Sequence, residues 1–260
     1  MAGNVKLCKG FLLVSSIIVC LLWASLPAYA SQPLVVVESF NEDNIHLDIG
    51  DITHVTRTLV IQNHIDKPVV PGQITIDLQK KAPQSIGPIA LPFTDTVKPL
   101  NVTNVQARLG DGTPITDINI TQTENATVIR YGVWAPIEAN GTLTVILEYD
   151  SPDIVDKGIL FNTVEYPFSA SNVPTDKAVI EISLKDGHAT YFSETPGSTG
   201  ATYVWENDHV DTSNPWSLSM EYSMLPLPLL PLSSSMIFWS IILLICLGWV
   251  VWTYTRPKRK

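Results

Sequence analysis

The chain has 260 residues, of which 45% are hydrophobic, and its formal net charge is −9 with a sequence pI of 4.9. Six of its 16 basic residues lie in the two terminal segments, whereas all 25 acidic residues lie between Glu38 and Glu221, so the central segment has a net charge of −15. A field of that sign repels phosphate backbones, which argues against nucleic acid as a partner.

The N-terminus has the three-part pattern of a secretory signal peptide. Lys6 and Lys9 precede the uncharged run FLLVSSIIVCLLWASLPA, and the small-x-small tripeptide Ala28-Tyr29-Ala30 follows it. We therefore predict a signal peptide over residues 1–30 with cleavage after Ala30. An uncleaved first membrane helix is the alternative, because the two patterns resemble each other.

The segments between the termini alternate between apolar and polar side chains, as half-buried strands do. The alternation is strict in WSLSMEYS (216–223), and it recurs in QITIDL (73–78), TLTVILEY (142–149) and AVIEISLK (178–185). Turn signals such as Asn140-Gly141 and Asp186-Gly187 separate the strand-like segments at intervals of about 8–12 residues. The sequence predicts an all-β fold over residues 31–224, an extended antiparallel β-sandwich of the Ig-like or supersandwich type.

Two stretches could divide this sandwich into two domains. The segment KKAPQSIGPIALPFTDTVKPL (80–100) contains four prolines and shows weak periodicity, and SPDIVDKG (151–158) is polar and rich in turn residues. One extended sandwich is favoured over two small ones, because segments shorter than about 80 residues without disulfides are marginally stable.

Six segments between residues 53 and 165 occur in an order that resembles the broad β-sandwich of the M1 aminopeptidases and of the ribophorin I lumenal region. They are RTLVIQN, PGQITIDL, NVTNVQARLGDG, ATVIRYGVWAPI, GTLTVILEYDS and GILF. The resemblance implies a sandwich fold. It implies no activity, because the chain contains no HExxH zinc motif.

The cysteines are Cys8, Cys20 and Cys246, so the predicted exterior segment contains no thiol for catalysis, zinc binding or disulfides. That segment does contain four Asn-x-Thr glycosylation motifs. Their acceptors are Asn101, Asn119, Asn125 and Asn140. Glycosylated asparagines need to be exposed, so we expect these four at edges and turns. Acidity, absent disulfides and these motifs together favour an archaeal-type cell-surface glycoprotein.

Two acidic loops could bind a cation. Asp150, Asp153 and Asp156 form a weak calcium candidate, since clustered carboxylates in extracellular loops bind Ca²⁺ at Kd values on the order of 10⁻⁴–10⁻³ M. A second loop contains Glu206, Asp208 and Asp211. Turn chemistry is the competing explanation, because aspartate side chains also cap local backbone N–H groups.

Aromatic side chains could also form a carbohydrate-binding platform, although packing in the core is the simpler role for them. The candidates are Tyr131, Trp134, Tyr203, Trp205 and Trp216. In YGVW, Tyr131 and Val133 share one face of a strand and Trp134 lies on the other. The five histidines do not have metal-ligand spacing on a helix and are expected at surfaces or strand edges.

The C-terminal region predicts a membrane anchor. A proline-rich spacer over residues 225–235 precedes Met236–Tyr254, nineteen residues without a formal charge, which is nearly enough to span a hydrocarbon layer of about 30 Å. Four basic residues follow in the tail, residues 255–260. Positive charge beside a span stays cytoplasmic, so we expect the sandwich outside the cell and the tail inside.

These features predict a single-pass cell-membrane protein with a binding, adhesion or envelope-structural role, or an accessory subunit of a membrane complex. We expect no enzymatic activity and no cofactor, apart from the weak calcium candidate. Expected partners are the membrane, a protein in the membrane or envelope, and at lower priority a carbohydrate. The alternative is an extracellular hydrolase whose active site is not recognisable in the sequence.

Overall fold

The computed structural model describes residues 39–86, 89–168, 172, 175–200, 202–210 and 216–255. The predicted signal peptide and the basic residues 256–260 lie outside these ranges. Within them the chain forms fifteen strands and one helix. The strands are β1 (Ser39–Ile49), β2 (Thr53–Asn63), β3 (Gly72–Ile86), β4 (Ile89–Pro99), β5 (Thr103–Leu109), β6 (Pro114–Ile115), β7 (Ile118–Gln122), β8 (Thr127–Val133), β9 (Thr142–Ser151), β10 (Val155–Lys157), β11 (Asn162–Phe168), β12 (Thr175–Leu184), β13 (His188–Phe192), β14 (Thr202–Val210) and β15 (Trp216–Ser223), and the helix is α1 (Ser234–Thr255).

The strands form three sheets. A seven-stranded sheet has the order β14-β12-β1-β2-β9-β5-β6, and two four-stranded sheets have the orders β10-β11-β15-β13 and β4-β3-β8-β7. The fold is therefore mostly β, with open, sandwich-like sheets, as predicted. Pairing is antiparallel with one exception among the described strands, because β12 lies parallel to β1. The expectation of a purely antiparallel sandwich is wrong at this pair, where the long connection between β1 and β12 is a crossover.

The described residues belong to one compact unit. The proline-rich stretch 80–100 is a hairpin of β3 and β4. In the second stretch, residues 155–157 are β10, which pairs with β11. Both stretches thus contribute strands to the sheets within this unit.

The apolar positions of the alternating segments are the residues that form the hydrophobic core. Ile74, Ile76 and Leu78 of β3 are buried, and the inward-facing residues of all three sheets form one continuous hydrophobic cluster. On β2 every second side chain from Thr53 to Asn63 is buried. Period-two patterning is enough to assign these faces, because successive strand side chains point to opposite sides of a sheet.

A charged pair lies inside this core. Asp43 of β1 and Arg57 of β2 are on the inward faces of adjacent antiparallel strands, at diagonal positions, and they are 0% and 2% exposed. Arg57 Nε donates to both carboxylate oxygens of Asp43 at 2.9 Å, and Arg57 Nη2 also donates to Asp43 Oδ2. Burial alone would lower the pKa of Arg57, but the charge and hydrogen bonds of Asp43 raise it overall.

Three buried tyrosines surround the pair, one from each sheet: Tyr131 of β8, Tyr149 of β9 and Tyr166 of β11. The hydroxyls of Tyr149 and Tyr166 lie 3.2 Å apart. Burial raises the pKa of all three phenols, so they stay neutral. The ion pair therefore lies where the inward faces of the three sheets meet.

Replacing Arg57 with Met should strongly destabilise the fold, because Asp43 would remain as a buried charge without its partner. Losing one member of a buried pair costs about 3–5 kcal/mol, and replacing both members with apolar residues is far less costly. We therefore expect chemical denaturation to show a large loss of stability for Arg57→Met and substantial recovery for Asp43→Leu combined with Arg57→Met.

The matched control is Arg108→Met, which breaks the surface pair of Arg108 and Glu148 (2.7 Å). Its effect should be much smaller, because exposed pairs are screened by solvent. Equal losses for Arg57→Met and Arg108→Met would contradict a structural role for the buried pair.

Candidate functional site

The three carboxylates of the calcium candidate have separate partners. Asp150 accepts hydrogen bonds from Asn104 Nδ2 at 2.7 Å and pairs with His54 Nδ1 at 2.7 Å. Asp153 Oδ2 accepts from the backbone N and side-chain Nδ2 of Asn101, and Asp156 pairs with Lys80. Asn104 and His54 lower the pKa of Asp150.

Among the described residues, no group of three His, Cys, Asp or Glu side chains has the arrangement of a metal site. The calcium site stays a prediction from the sequence. The expectation of a second acidic loop is wrong for Glu206 and Asp208, which lie on strand β14. Glu206 pairs with Lys177 at 3.5 Å, and Asp211 lies outside the described residues.

The four glycosylation acceptors are exposed. Asn101 precedes β5, Asn119 lies on β7, and Asn125 and Asn140 lie in turns. Asn140 adopts a φ of 55°, a conformation that asparagine tolerates better than most residues. The hydroxyl of Thr121 donates to Asn119 Oδ1 at 3.4 Å within one of these motifs. All four acceptors therefore lie where a glycan could be attached.

The aromatic candidates do not form one exposed platform. Tyr131, Trp205 and Trp216 are buried, Tyr203 packs against Phe192 with ring centroids 5.2 Å apart, and Trp134 is 63% exposed. The prediction that Trp134 lies on the face opposite to Tyr131 is confirmed. Of these five, Trp134 is the side chain that a ligand could reach most easily.

The most distinctive polar group outside the core is Glu221 of β15. The alternation of WSLSMEYS predicts a wet face for Glu221, but it is 4% exposed because the chain after β15 covers it. Residues 224–233 form no helix or strand, and they fold back so that the backbone N–H of Leu230 donates to the carbonyl of Thr190 at 2.6 Å. The predicted proline-rich spacer thus packs against β13 and β15.

Glu221 binds the first turn of α1. The backbone N–H of Ser234 donates to Glu221 Oε2 at 2.8 Å, and the Ser234 hydroxyl donates to Oε1 at 3.1 Å. Ser233 is the N-cap residue, since its hydroxyl accepts from the backbone N–H of Met236 at 3.4 Å. A helix N-terminus has unpaired N–H donors and a partial positive charge, which a carboxylate satisfies. We call Glu221, Ser233 and Ser234, with the contact of Leu230 to Thr190, the junction.

Burial raises the pKa of Glu221, although the hydrogen bonds from Ser234 oppose the shift. Sequence analysis did not identify Glu221 as a candidate, because apolar–polar alternation shows only which face of its own strand a residue lies on. A carboxylate thirteen residues before a serine-rich helix start gives no local capping signal, because the two partners of a capping box are only three positions apart.

Beyond the junction, α1 has no acidic residue in its first turn and no basic residue in its last turn. Its apolar side chains are exposed on every side rather than packed on the sandwich. Ile241, Leu243, Leu244 and Ile245 are all more than half exposed, although they point in different directions around the axis. Judged on the described residues alone, no helix is long enough and apolar enough to cross a membrane. The membrane span stays a prediction.

No family model matches the chain. The uncharacterized protein MJ1395 of the archaeon Methanocaldococcus jannaschii is 33% identical over 147 residues, which are 55% of this chain and 98% of that protein. The chain belongs to the family of this archaeal protein. Family membership assigns no activity, because none is described in the relative's name.

Solved structures give a likeness of fold alone. A Legionella pneumophila protein, whose role in nutrient binding is itself a proposal, has a TM-score of 0.40 and 12% identity over 70% of this chain and 66% of its own. The M1 zinc metallopeptidase of Deinococcus radiodurans has a TM-score of 0.34 and 12% identity over 70% of this chain and 41% of its own. The chain thus spans less than half of that peptidase.

Replacing Glu221 with Gln should change how stability depends on pH. The folded pKa of Glu221 lies above its ordinary value of 4.5, so its contribution to stability is fully present below pH 4.5 and is lost as the pH rises through the folded pKa. We expect wild type to gain stability relative to Glu221→Gln on acidification from neutral pH, measured by thermal unfolding in detergent.

The matched control is Glu148→Gln on β9. Arg108 lowers the pKa of Glu148, so the dependence there should have the opposite sign. A constant difference between wild type and Glu221→Gln across this pH range would contradict the burial of the Glu221 carboxylate.

Proposed function

We propose that this chain is a single-pass cell-surface protein: α1 anchors it in the membrane, and the acidic sandwich lies outside as a non-enzymatic binding or envelope-structural module. One observation carries the proposal, namely that α1 exposes apolar side chains on every side and contains no charged residue. Water is an unfavourable solvent for such a surface. A bilayer removes all of these side chains from water at once.

The anchor goes beyond the described helices, none of which is long and apolar enough to span a membrane, and it rests on the sequence of this segment. Met236–Tyr254 contains no formal charge, and at about 1.5 Å per residue these nineteen residues would rise about 28 Å as a helix, against a hydrocarbon core of about 30 Å. The backbone groups of α1 are hydrogen-bonded within the helix, which a lipid environment requires. The aromatic side chains Phe238 and Trp239 lie near one end and Trp249 and Trp252 near the other, as expected for rings that prefer the headgroup zone.

Charge supports the orientation. Residues 31–233, before the helix, carry a net charge of −15, whereas four basic residues follow the helix at Arg256, Lys258, Arg259 and Lys260. Positive charge next to a span stays on the cytoplasmic side, so the sandwich faces outward. The four exposed asparagine acceptors lie on that outward part and would be available for glycosylation.

The junction would hold the anchor in a fixed position relative to the sandwich. Because Glu221 binds both the backbone N–H and the hydroxyl of Ser234, the start of the helix is fixed near the end of strand β15. The surface that binds a protein partner, or a carbohydrate near Trp134, would therefore be held at a defined height above the membrane. The acidic surface favours partners that carry positive charge.

A lysine in the middle of α1 should impair membrane insertion. We expect Leu244→Lys to shift the protein from the membrane pellet toward the soluble or degraded fraction, because a charge at the centre of a span costs about 2.5–3.5 kcal/mol by insertion scales. Alkaline carbonate extraction of membranes, followed by detection of the chain, measures the shift.

The matched control is Ile120→Lys on β7, an exposed isoleucine (47%) where a lysine is solvated. It should remain in the pellet. Complete release of wild type by carbonate, or identical behaviour of Leu244→Lys and wild type, would contradict the anchor.

A further inference from the structure

One end of the sandwich exposes large apolar side chains at the tips of its turns. Ile52 in the β1–β2 turn is 58% exposed, and Ile159 and Leu160 in the β10–β11 turn are 102% and 56% exposed. A single exposed apolar residue is ordinary, but a group at one end of a molecule indicates an interaction surface.

These two turns lie together and beside the end of β15. Lys157, directly before the β10–β11 turn, pairs with Asp51 of the β1–β2 turn at 3.4 Å. Asn162, directly after the β10–β11 turn, is opposite Tyr222 in the sheet, one residue before β15 ends. The turns are therefore at the end of the sandwich where the chain leaves toward α1.

The chain beyond β15 adds to the same surface. Met224 and Leu225 follow Ser223 directly and are 63% and 51% exposed. We call this group the apolar rim. It consists of Ile52, Ile159, Leu160, Met224 and Leu225. Glu221, which holds the start of the helix, lies only two residues from Ser223, so the apolar rim and the helix start share one end of the molecule.

We propose that the apolar rim rests in the headgroup region of the bilayer that α1 enters, so that the sandwich touches the membrane as well as being tied to it. This inference rests on the proposed membrane anchoring. The occupant is lipid rather than a protein surface, because the capped helix holds this end at the bilayer.

The shape and charge of the rim fit a lipid surface. It consists of separate turn tips, and a fluid headgroup layer can take up such tips without the shape complementarity that a protein interface needs. The charge of Asp51 is balanced by Lys157, which removes a repulsion from lipid phosphates.

Depth-dependent fluorescence quenching tests the proposal. The full chain carries Cys8→Ala, Cys20→Ala and Cys246→Ser, and an environment-sensitive fluorophore is attached through Ile159→Cys. Phosphatidylcholine nanodiscs with one copy each contain either plain lipid or lipid with a spin label near the headgroup. Since Ile159 is fully exposed, its replacement should not disturb folding.

We expect blue-shifted emission at position 159 and quenching by the spin-labelled lipid. The matched control, Ile120→Cys on β7, is also an exposed isoleucine, and it should show neither effect. A third sample, labelled at the native Cys246 in α1, reports on the anchor itself.

The outcomes separate the two proposals. If Cys246 is shielded from water but position 159 behaves like position 120, the anchor stands and the rim proposal is overturned. If Cys246 is exposed to water in the nanodisc, the anchor itself fails. A blue shift at position 159 without lipid quenching would place the rim against protein and would also overturn the proposal.

Discussion

The buried ion pair between Asp43 and Arg57 constrains how the sandwich can be assembled, because separating the two charges inside the core would leave each one unpaired. The two side chains are on adjacent strands of the seven-stranded sheet, and the tyrosines around them come from all three sheets. An ion pair at such a place is costly unless its geometry is good, because both charges lose their hydration. Once the sheets are assembled, a shift in the register of β1 against β2 would separate the charges. We regard the pair as a device that fixes how the sheets align.

A sandwich fixed in this way gives the helix a defined starting point. Glu221 is on the face of β15 opposite to the core residues Met220 and Tyr222, so its position follows from core packing. Its carboxylate in turn sets the position of Ser234, the first residue of α1. The molecule therefore has two apolar surfaces of different kinds. One is buried between sheets, and the other is exposed on α1 and on the apolar rim, which we propose to lie against lipid.

Much of this fold could be predicted from the sequence, because strand alternation is a local signal. The buried faces of β3, β9, β12 and β15 follow directly from it. The alternation also places two opposite charges, Asp43 and Arg57, at inward positions on neighbouring strands, which indicates a buried ion pair. Recognising them requires knowing that β1 and β2 pair, and a single strand pattern does not provide that.

Other features depend on contacts that are distant in the sequence. The parallel pairing of β1 with β12 joins residues more than a hundred positions apart. The prolines of residues 80–100 suggested a linker, yet Pro83 lies at a register shift and Pro99 ends an edge strand, which are positions where sheets tolerate proline. The burial of Glu221 depends on the spacer folding back, which its composition does not reveal.

The proposed anchor requires α1 to lie in lipid, and the native Cys246 offers a direct measurement. A nitroxide attached to Cys246, in the full chain with Cys8→Ala and Cys20→Ala, reports collisions with oxygen, which concentrates in lipid, and with a nickel chelate, which stays in water. In native-like membranes we predict strong relaxation by oxygen and little by the nickel chelate. Strong relaxation by the nickel chelate in sealed membranes would contradict the account.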